Sequence, residues 1–307
     1  MATPVVTSSA VAQPYAGDAP MGVPAGRADP AKARQRPLPD PKPIERHGPA
    51  RIVAMCNQKG GVGKTTSTIN LGAALVEQGR RVLLVDLDPQ GALSVGLGVQ
   101  SQQLERTVYN ALMERHTTLR DVIIRDVGHV RGLDLAPSNI DLSAAEVQLV
   151  SEVAREQSLL RVLAEVRQEY DYVLIDCQPS LGLLTVNALT AAQGVIIPLE
   201  CEFFSLRGVA LLVDTIDKVK ERLNPSLEVD GILATMYDAR TLHSREVVQR
   251  LVEAFGEQVF HTVIGRTVKF SDSTVAGEPI TSYASSSAGA DSYRQLAREV
   301  LDRWQSA

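Results

Sequence analysis

Asn57-Gln58-Lys59-Gly60-Gly61-Val62-Gly63-Lys64-Thr65-Thr66 is the stretch that decides the fold of this chain. An apolar run at 51–56 precedes it and is typical of a strand buried on both faces, and a helical pattern of apolar residues follows at 67–78. Glycines between a strand and a helix let backbone N–H groups converge on an anion at the positive end of the helix dipole. The stretch is therefore predicted to bind phosphate groups, with Lys64 bridging the outer phosphates and Thr65 placed for magnesium.

One residue departs from the ordinary G-x-x-x-x-G-K-[ST] pattern, because Gln58 stands where the first glycine should be. With its additional lysine, Lys59, the sequence K-G-G-V-G-K-T-T is a deviant Walker A motif and resembles the ParA/MinD superfamily of P-loop ATPases. The resemblance implies ATP and Mg²⁺ as cofactors, and a Lys59 that reaches across a dimer interface to the phosphates of the partner subunit. Lys59 and Lys64 are predicted to be catalytic. The predicted nucleotide-binding residues of this stretch are Lys59, Gly60, Gly61, Val62, Gly63, Lys64, Thr65 and Thr66.

Two further strand-like runs, 81–86 and 172–176, end in aspartates. In open α/β sheets, metal ions and attacking waters lie at the carboxyl ends of the strands. The first run leads into D-L-D-P-Q-G and the second into C-Q-P-S, which resemble the two switch regions of the family, although Gln178 replaces a proline. By this resemblance Asp86 and Asp176 belong to the magnesium surroundings, with Thr65, and Asp88 orients the attacking water. A simple Asx turn is the alternative role for Asp88.

Two loops late in the chain carry the predicted contacts to adenine and DNA. Residues 237–242 are similar to a stretch that ParA relatives share, and Gly265-Arg266-Thr267 stands where relatives usually read Pro-Arg-Asn. Because Gly265 and Thr267 depart from that pattern, only their backbone groups are expected to contact adenine. The candidate DNA-binding residues are Arg240, Arg266 and Lys269; the alternative is that they are ordinary solvated surface charges.

Composition is that of a soluble globular protein, with 307 residues, 44% apolar and 22% charged. No apolar run approaches the roughly 18 residues that a membrane-spanning helix needs. Cys56, Cys177 and Cys201 lack the spacing of a metal site and are expected to be buried thiols in a reducing cytoplasm. The net charge of −5 argues weakly against DNA binding, but phosphate binding depends on a local basic patch rather than on the total.

Residues 1–50 contain ten of the sixteen prolines and few long apolar side chains. Such a segment cannot bury enough surface to offset its ordering entropy, so a disordered N-terminal tail is predicted. It serves as a solubilising extension, as a docking peptide for a cellular scaffold protein, or as an auxiliary DNA contact. Residues 51–307 are predicted to form the ATPase domain.

Alternating strands and helices predict an α/β fold of the P-loop NTPase kind, with a mostly parallel sheet covered by helices on both faces. Further strands are predicted at 132–137, 194–199, 229–236 and 259–264, and further helices at 108–115, 205–223 and 288–304. A long helical region, interrupted near Gln157-Ser158, is predicted at 143–170. The last helix is expected to pack into the core. Its arginines are balanced by acids, whereas a membrane-binding helix has a basic polar face.

The resemblance covers about residues 51–304 and implies a chromosome- or plasmid-partitioning ATPase of the cytoplasm and nucleoid. Such a protein forms an ATP-dependent homodimer, coats DNA without sequence preference, and is released when a ParB-type centromere-binding partner stimulates hydrolysis. Intrinsic hydrolysis is expected to be slow, since no histidine base is expected beside the water. The alternatives are a cell-division positioning ATPase of the MinD kind, and a biosynthetic or electron-transfer P-loop enzyme with cluster cysteines or a second substrate domain.

Overall fold

The computed structural model describes residues 29–34, 37–44, 46–202 and 205–306. Within these ranges it contains six strands: β1 (Arg51–Met55), β2 (Val82–Leu87), β3 (Leu133–Ala136), β4 (Tyr172–Cys177), β5 (Gly194–Glu200) and β6 (Glu228–Thr235). They form one sheet in the order β3-β2-β4-β1-β5-β6, and every pair of neighbours is parallel. The predicted α/β class with a parallel sheet is confirmed.

Helices cover both faces of the sheet. Those in the described ranges are α1 (Pro30–Ala33), α2 (Lys64–Glu77), α3 (Ala92–Gly96), α4 (Val108–Met113), α5 (Leu142–Gln148), α6 (Ser158–Ala164), α7 (Leu183–Ala191), α8 (Ser205–Arg222), α9 (Leu242–Phe255), α10 (Lys269–Ala276), α11 (Ile280–Tyr283) and α12 (Ala288–Ser306). Because side chains alternate along a strand, Ile52 and Ala54 face a core built with α4 to α9. Val53 and Met55 face the opposite core, which is built with α2, α3, α11 and α12.

Two predicted elements differ in part from the structure, the first of them at 143–170. The interruption predicted near Gln157-Ser158 is present but longer: α5 and α6 are separated by 3-10 turns at 149–151 and 155–157, and Ala154 between these turns has a φ of 55°. A left-handed residue cannot continue a right-handed helix, so no single helix runs through this position. α7, in turn, was not predicted, because residues on every side of it are buried and no amphipathic period remains to be read.

The second difference is at 259–264, where the predicted strand is absent. The segment lies beside β6 and donates to it only at Phe260 and Ile264. Between them, the N–H groups of His261 and Thr262 donate to the buried carboxylate of Glu299, at 2.7 and 2.9 Å. These donors are bound by a side chain, so no regular ladder forms.

The predicted N-terminal tail falls partly outside the described residues, since 1–28 are not among them. Its described residues lie against the domain. α1 packs on α9, and the Arg34 guanidinium donates to the carbonyl oxygens of Gly256, Val259 and Phe260. His47 lies 2.7 Å from a carboxylate oxygen of Asp171. Composition does not reveal such contacts, because they are made to backbone groups far along the chain.

The last helix packs into the core as predicted, through the buried side chains of Tyr293, Leu296 and Val300. In the part of the chain that the structure describes, no helix is both long enough and apolar enough to cross a bilayer.

Gly231 in β6 is expected to tolerate no side chain. A Cβ atom there would lie 2.5 Å from Cε2 of Phe260, whose buried ring has the Arg303 guanidinium 4.3 Å from its centroid. Overpacking of this kind costs about 1–3 kcal/mol, so Gly231→Ala should lower the free energy of unfolding by that amount in urea denaturation. Gly208→Ala in α8 is the matched control, since no heavy atom other than those of its chain neighbours and its own helix backbone lies within 4 Å of the added methyl group. It should be neutral or stabilising by up to about 1 kcal/mol; equal stability of the two variants would show that Phe260 moves aside freely.

Candidate nucleotide-binding site

The loop between β1 and α2 has the backbone conformation of a phosphate-binding loop. Gly61 and Gly63 have φ angles of 75° and 86°, which glycine adopts at little cost. α2 begins at Lys64, and no described side chain caps its first turn. The N–H groups of that turn are therefore left for a ligand. Gly60 is exposed in the loop, and Thr66 is half-buried in the first turn.

Two polar side chains at strand ends hold this loop in place. Thr235, the last residue of β6, donates its hydroxyl to the Val62 carbonyl oxygen at 2.8 Å. The Asn57 amide donates to the carbonyl oxygen of Pro198 in β5 at 2.7 Å, and its oxygen accepts the Lys59 N–H at 3.0 Å. The loop is thus fixed to β5 and β6. No sequence pattern had indicated a role for either Asn57 or Thr235.

Lys64 and Thr65 lie on the side of the loop that faces the sheet. The buried Lys64 ammonium donates to the Lys59 carbonyl oxygen at 3.2 Å, so it lies inside the curve of its own loop. The Thr65 hydroxyl donates to Asp176 at 2.6 Å. A strand-end acid and the first turn of α2 are therefore in direct contact, as the two motifs require.

Asp86 and Asp176 are partners in the register of β2 and β4, and both are buried. Asp86 accepts hydrogen bonds from the N–H and the hydroxyl of Ser94, at 2.9 and 2.7 Å. Burial nevertheless raises the pKa of Asp86 to about 6. Burial, together with the neighbouring Asp86 carboxylate, raises the pKa of Asp176 to about 8. Two buried carboxyl groups beside a phosphate-binding loop would both be stabilised by a divalent cation.

The donor set fits Mg²⁺ held together with a nucleotide. Within the described ranges, no group of three His, Cys, Asp or Glu side chains could hold a metal ion by itself. Mg²⁺ in nucleotide sites is commonly bound by one or two carboxylates, with phosphate oxygens and waters among the other ligands. Asp176 and Asp86 supply two carboxylates, and the Thr65 hydroxyl lies beside Asp176.

Asp88 forms the turn that was the alternative interpretation of its role. Its carboxylate accepts the Gln90 N–H at 2.9 Å, and its own N–H donates to Asp86 at 3.2 Å. The side chain is half-buried. A carboxylate held in this way keeps oxygen lone pairs for a water, so the turn and the predicted water-orienting role are compatible.

The side chain of Lys59 leaves the phosphate-binding loop, whereas that of Lys64 lies inside it. Its ammonium pairs with Glu200 at 2.9 Å and with Glu202 at 2.6 Å, and these hydrogen bonds, Glu202 first, raise the pKa of Lys59. Neither acid was predicted from the sequence to belong to the site. Glu200 ends β5, so the strand-end rule that selected Asp86 and Asp176 would have selected it too.

The loop predicted to contact adenine reaches the same edge of the sheet. Gly265 pairs with Tyr237 in an isolated parallel bridge, and the Arg266 N–H donates to the Tyr237 carbonyl oxygen at 3.2 Å. Tyr237 follows Thr235, which holds the phosphate-binding loop. Thr267 is half-buried, and its hydroxyl accepts the Lys269 N–H at 3.3 Å.

The three candidate DNA-binding side chains are all exposed, but two of them are paired. Arg240 makes two bonds to the Asp238 carboxylate, at 2.9 and 2.8 Å, which lower the pKa of Asp238 to about 2. Arg266 lies 3.3 Å from Glu200. Lys269 opens α10. A phosphate must therefore compete with the Asp238 carboxylate for the charge of Arg240.

The second switch region is tied to α5, because Gln178 donates to Glu146 at 2.9 Å. The preceding residue, Cys177, has its sulfur 3.2 Å from that of Cys56. All three cysteines are buried free thiols, as predicted.

Comparison with known proteins identifies the family. Residues 50–229 match the sequence family described as AAA domain. Over 250 residues the chain is 46% identical to sporulation initiation inhibitor protein Soj of Bacillus subtilis, which covers 81% of this chain and 98% of Soj. Over 257 residues it is 45% identical to chromosome partitioning protein ParA of Caulobacter vibrioides, covering 83% and 95% of the two chains. This chain belongs to the Soj/ParA family.

Other relatives of this Soj/ParA family member extend the comparison. An uncharacterized protein of Mycobacterium tuberculosis is 65% identical over 269 residues, covering 88% of this chain and 84% of the relative. One similar solved structure is that of cobyrinic acid a,c-diamide synthase from Mycobacterium smegmatis with bound ATP analog and magnesium. It is 43% identical, has a TM-score of 0.75, and the match covers 84% of this chain and 96% of the synthase chain. The solved structure of the septum site-determining protein MinD of Pyrococcus horikoshii, complexed with Mg-ADP, is 27% identical with a TM-score of 0.68. That match covers 82% of this chain and 96% of the MinD chain. The predicted resemblance and the predicted fold are both confirmed.

The buried acid pair of this family member gives its stability a pH dependence. The pKa of Asp176 is about 8 in the folded chain against an ordinary value of 3.8, so the folded chain keeps a proton that the unfolded chain has lost. The free energy of unfolding therefore falls as pH rises from about 4 to about 8. Asp176→Asn removes this titration and should be more stable than the wild type at pH 8 by on the order of a few kcal/mol.

Urea denaturation without Mg²⁺ across that pH range measures the effect. Asp217→Asn, at an exposed position of α8, is the control and should follow the wild-type profile. A constant difference between Asp176→Asn and wild type at every pH would contradict the raised pKa of Asp176.

Proposed function

We propose that this chain is an ATP-dependent switch for chromosome or plasmid segregation. In this proposal two ATP-bound subunits form a dimer that binds DNA without sequence preference, and hydrolysis releases it. The observation that carries the proposal is the different placement of two lysine side chains. Lys64 fills the phosphate-binding loop of its own subunit, whereas Lys59 lies exposed beside it, where a second subunit can reach it.

ATP and Mg²⁺ are the cofactors of this family member, and each part of the site has a proposed role toward them. The N–H groups of Gly60, Gly61, Val62, Gly63, Thr65 and Thr66 bind the phosphates. Lys64 would neutralise the outer phosphates, and Thr65, Asp176 and Asp86 would hold the metal. When bound, Mg²⁺ neutralises charge on the phosphate oxygens.

Hydrolysis needs positioning and charge neutralisation more than covalent chemistry. Asp88 is proposed to orient the attacking water, and Lys64 and the partner's Lys59 neutralise the charge that develops on the transferred phosphoryl group. In the described part of the chain the hydrogen bonds of Asp88 go to Asp86 and Gln90 and not to a histidine. A carboxylate without such a base is suited to slow intrinsic turnover, which a partner protein then accelerates.

The proposed partners follow from the family. The names of the Bacillus and Caulobacter relatives, with their roles in sporulation and chromosome partitioning, support a ParB-type centromere-binding protein as the stimulating partner and the nucleoid as the place of action. Arg266 and Lys269 are the proposed phosphate contacts to DNA, with Arg240 joining them once Asp238 releases it. Gly265 and Thr267 are proposed to contact adenine through their backbone. The N-terminal tail is proposed to bind a scaffold protein.

One observation favours a second candidate function. The Mycobacterium smegmatis structures that resemble this chain are of cobyrinic acid a,c-diamide synthase, which favours ATP-dependent amide synthesis on cobyrinic acid. An ATPase assay with either DNA or cobyrinic acid and a nitrogen donor separates the two candidates. Stimulation by DNA and not by cobyrinic acid is expected.

Lys59→Ala tests the proposed dimer. The variant should remain a folded monomer that binds ATP and Mg²⁺, because Lys64 is intact, but it should not dimerise when ATP is added. Multi-angle light scattering with ATP and Mg²⁺ measures this, with Lys269→Ala, also an exposed lysine, as the control that still dimerises. A normal ATP-dependent dimer of Lys59→Ala would remove the proposed role across the interface.

Arg266→Glu tests the proposed DNA surface. Each phosphate contact that is lost lowers the slope of log K against log salt concentration by about 0.9, so the DNA affinity of the ATP-bound dimer should fall equally for all sequences. Arg131→Glu makes the same charge change at an exposed position just before β3, at the opposite edge of the sheet. Equal DNA affinities of the two variants at several salt concentrations would exclude Arg266 as a phosphate contact.

A further inference from the structure

Four charged side chains form a cluster at the edge of the nucleotide site: Lys59, Glu200, Glu202 and Arg266. The Lys59 ammonium lies between the two acids, at 2.9 Å from Glu200 and 2.6 Å from Glu202. Glu200 also accepts from Arg266 at 3.3 Å. The cluster, here called the rim cluster, has two positive and two negative charges and is neutral as a whole.

Lys59 is held to β5 at both its backbone and its side chain. Its N–H donates to Asn57, whose amide donates in turn to Pro198 of β5. Its ammonium pairs with Glu200, two residues farther along the same strand. The ion pair therefore closes a ring of contacts between the loop and the end of β5.

We propose that Glu200 and Glu202 are positioning residues that hold Lys59 within its own subunit before dimerisation, and that the ATP dimer forms only after Lys59 leaves them. This inference rests on the proposed function, in which Lys59 binds phosphates of the partner subunit. An ammonium has three N–H donors, and two of them are used by the rim cluster. Lys59 cannot keep both carboxylates and also extend to a phosphate chain bound by another subunit.

The rest of the rim cluster makes release reversible. Glu202 is 52% exposed and returns to water when Lys59 leaves, whereas Glu200 is only 13% exposed and keeps Arg266 as a partner. Neither carboxylate is left buried without a partner, which would be costly. Glu200 and Glu202 therefore oppose dimerisation until a triphosphate bound by the other subunit competes with them for Lys59.

Exposed ion pairs change an equilibrium constant by about 1.5- to 5-fold. Because each dimer requires release of two lysines, one from each subunit, the effect on the dimer dissociation constant is the square of this factor. Removing one carboxylate charge should thus tighten the dimer by about 2- to 25-fold.

Glu202→Gln tests the inference, since this exposed side chain can lose its charge without harm to the fold. Sedimentation of wild type and variant is compared over a range of protein concentrations, with a non-hydrolysable ATP analog and Mg²⁺. Half-dimerisation of Glu202→Gln should occur at a protein concentration about 2- to 25-fold lower than that of the wild type. Glu202→Asp, which keeps the charge, should stay near the wild type. Glu221→Gln makes an equal charge change at an exposed position in the last turn of α8. It should reach half-dimerisation at the same protein concentration as the wild type.

The outcomes separate this inference from the proposed function. A wild-type dimer with an unchanged or weaker Glu202→Gln dimer overturns the inference alone, and a weaker one would mean that the carboxylates bind across the interface. Tightening by Glu221→Gln as well would show an effect of net charge and also overturn it. A wild-type chain that stays monomeric with the analog overturns the proposed function together with the inference.

Discussion

Parallel pairing of β1, β4 and β2 sets Met55, Asp176 and Asp86 at one level of the sheet. Everything at the nucleotide site depends on this register. The loop that leaves β1 can reach Asp176, the second-last residue of β4, only because Met55 and Asp176 are partners in the register, and the Thr65 hydroxyl then lies 2.6 Å from Asp176. A slip of one residue would turn each strand-end side chain to the opposite face of the sheet. The apolar alternation toward the two cores, which fixes the register, therefore also builds the site.

The same register has a cost in the unliganded chain. It places two carboxyl groups in neighbouring, fully buried positions, and burial opposes the ionisation of both. Ligands that bind only the folded chain stabilise it, and a cation between the acids and a phosphate would stabilise this chain where it is least stable. Sites of this kind are expected to trade stability for function.

Local sequence patterns were enough to predict the strand, the loop and the helix of the phosphate-binding motif, and also the acids that end β2 and β4. These features depend on neighbours in sequence: an apolar run, glycines and a lysine. Prediction failed where a distant side chain decides the local structure. Glu299 accepts hydrogen bonds from the N–H groups of residues 261 and 262, so these groups cannot pair with a neighbouring strand. The partners of Lys59 lie 141 and 143 residues farther along the chain. No window of local sequence contains such contacts.

The position of Trp304 determines what optical spectroscopy can measure on this protein. It is the only tryptophan of the chain, and it stacks on Tyr172 with ring centroids 4.7 Å apart and lies 5.3 Å from the Arg51 guanidinium. Tyr172 and Arg51 begin β4 and β1, and Asp176 is four residues farther along β4, or about 13 Å at the rise of a strand. Tryptophan fluorescence therefore reports whether the sheet is folded at the amino-terminal ends of β1 and β4. It is a clean signal for global unfolding, and nucleotide titrations need an extrinsic dye or a labelled nucleotide.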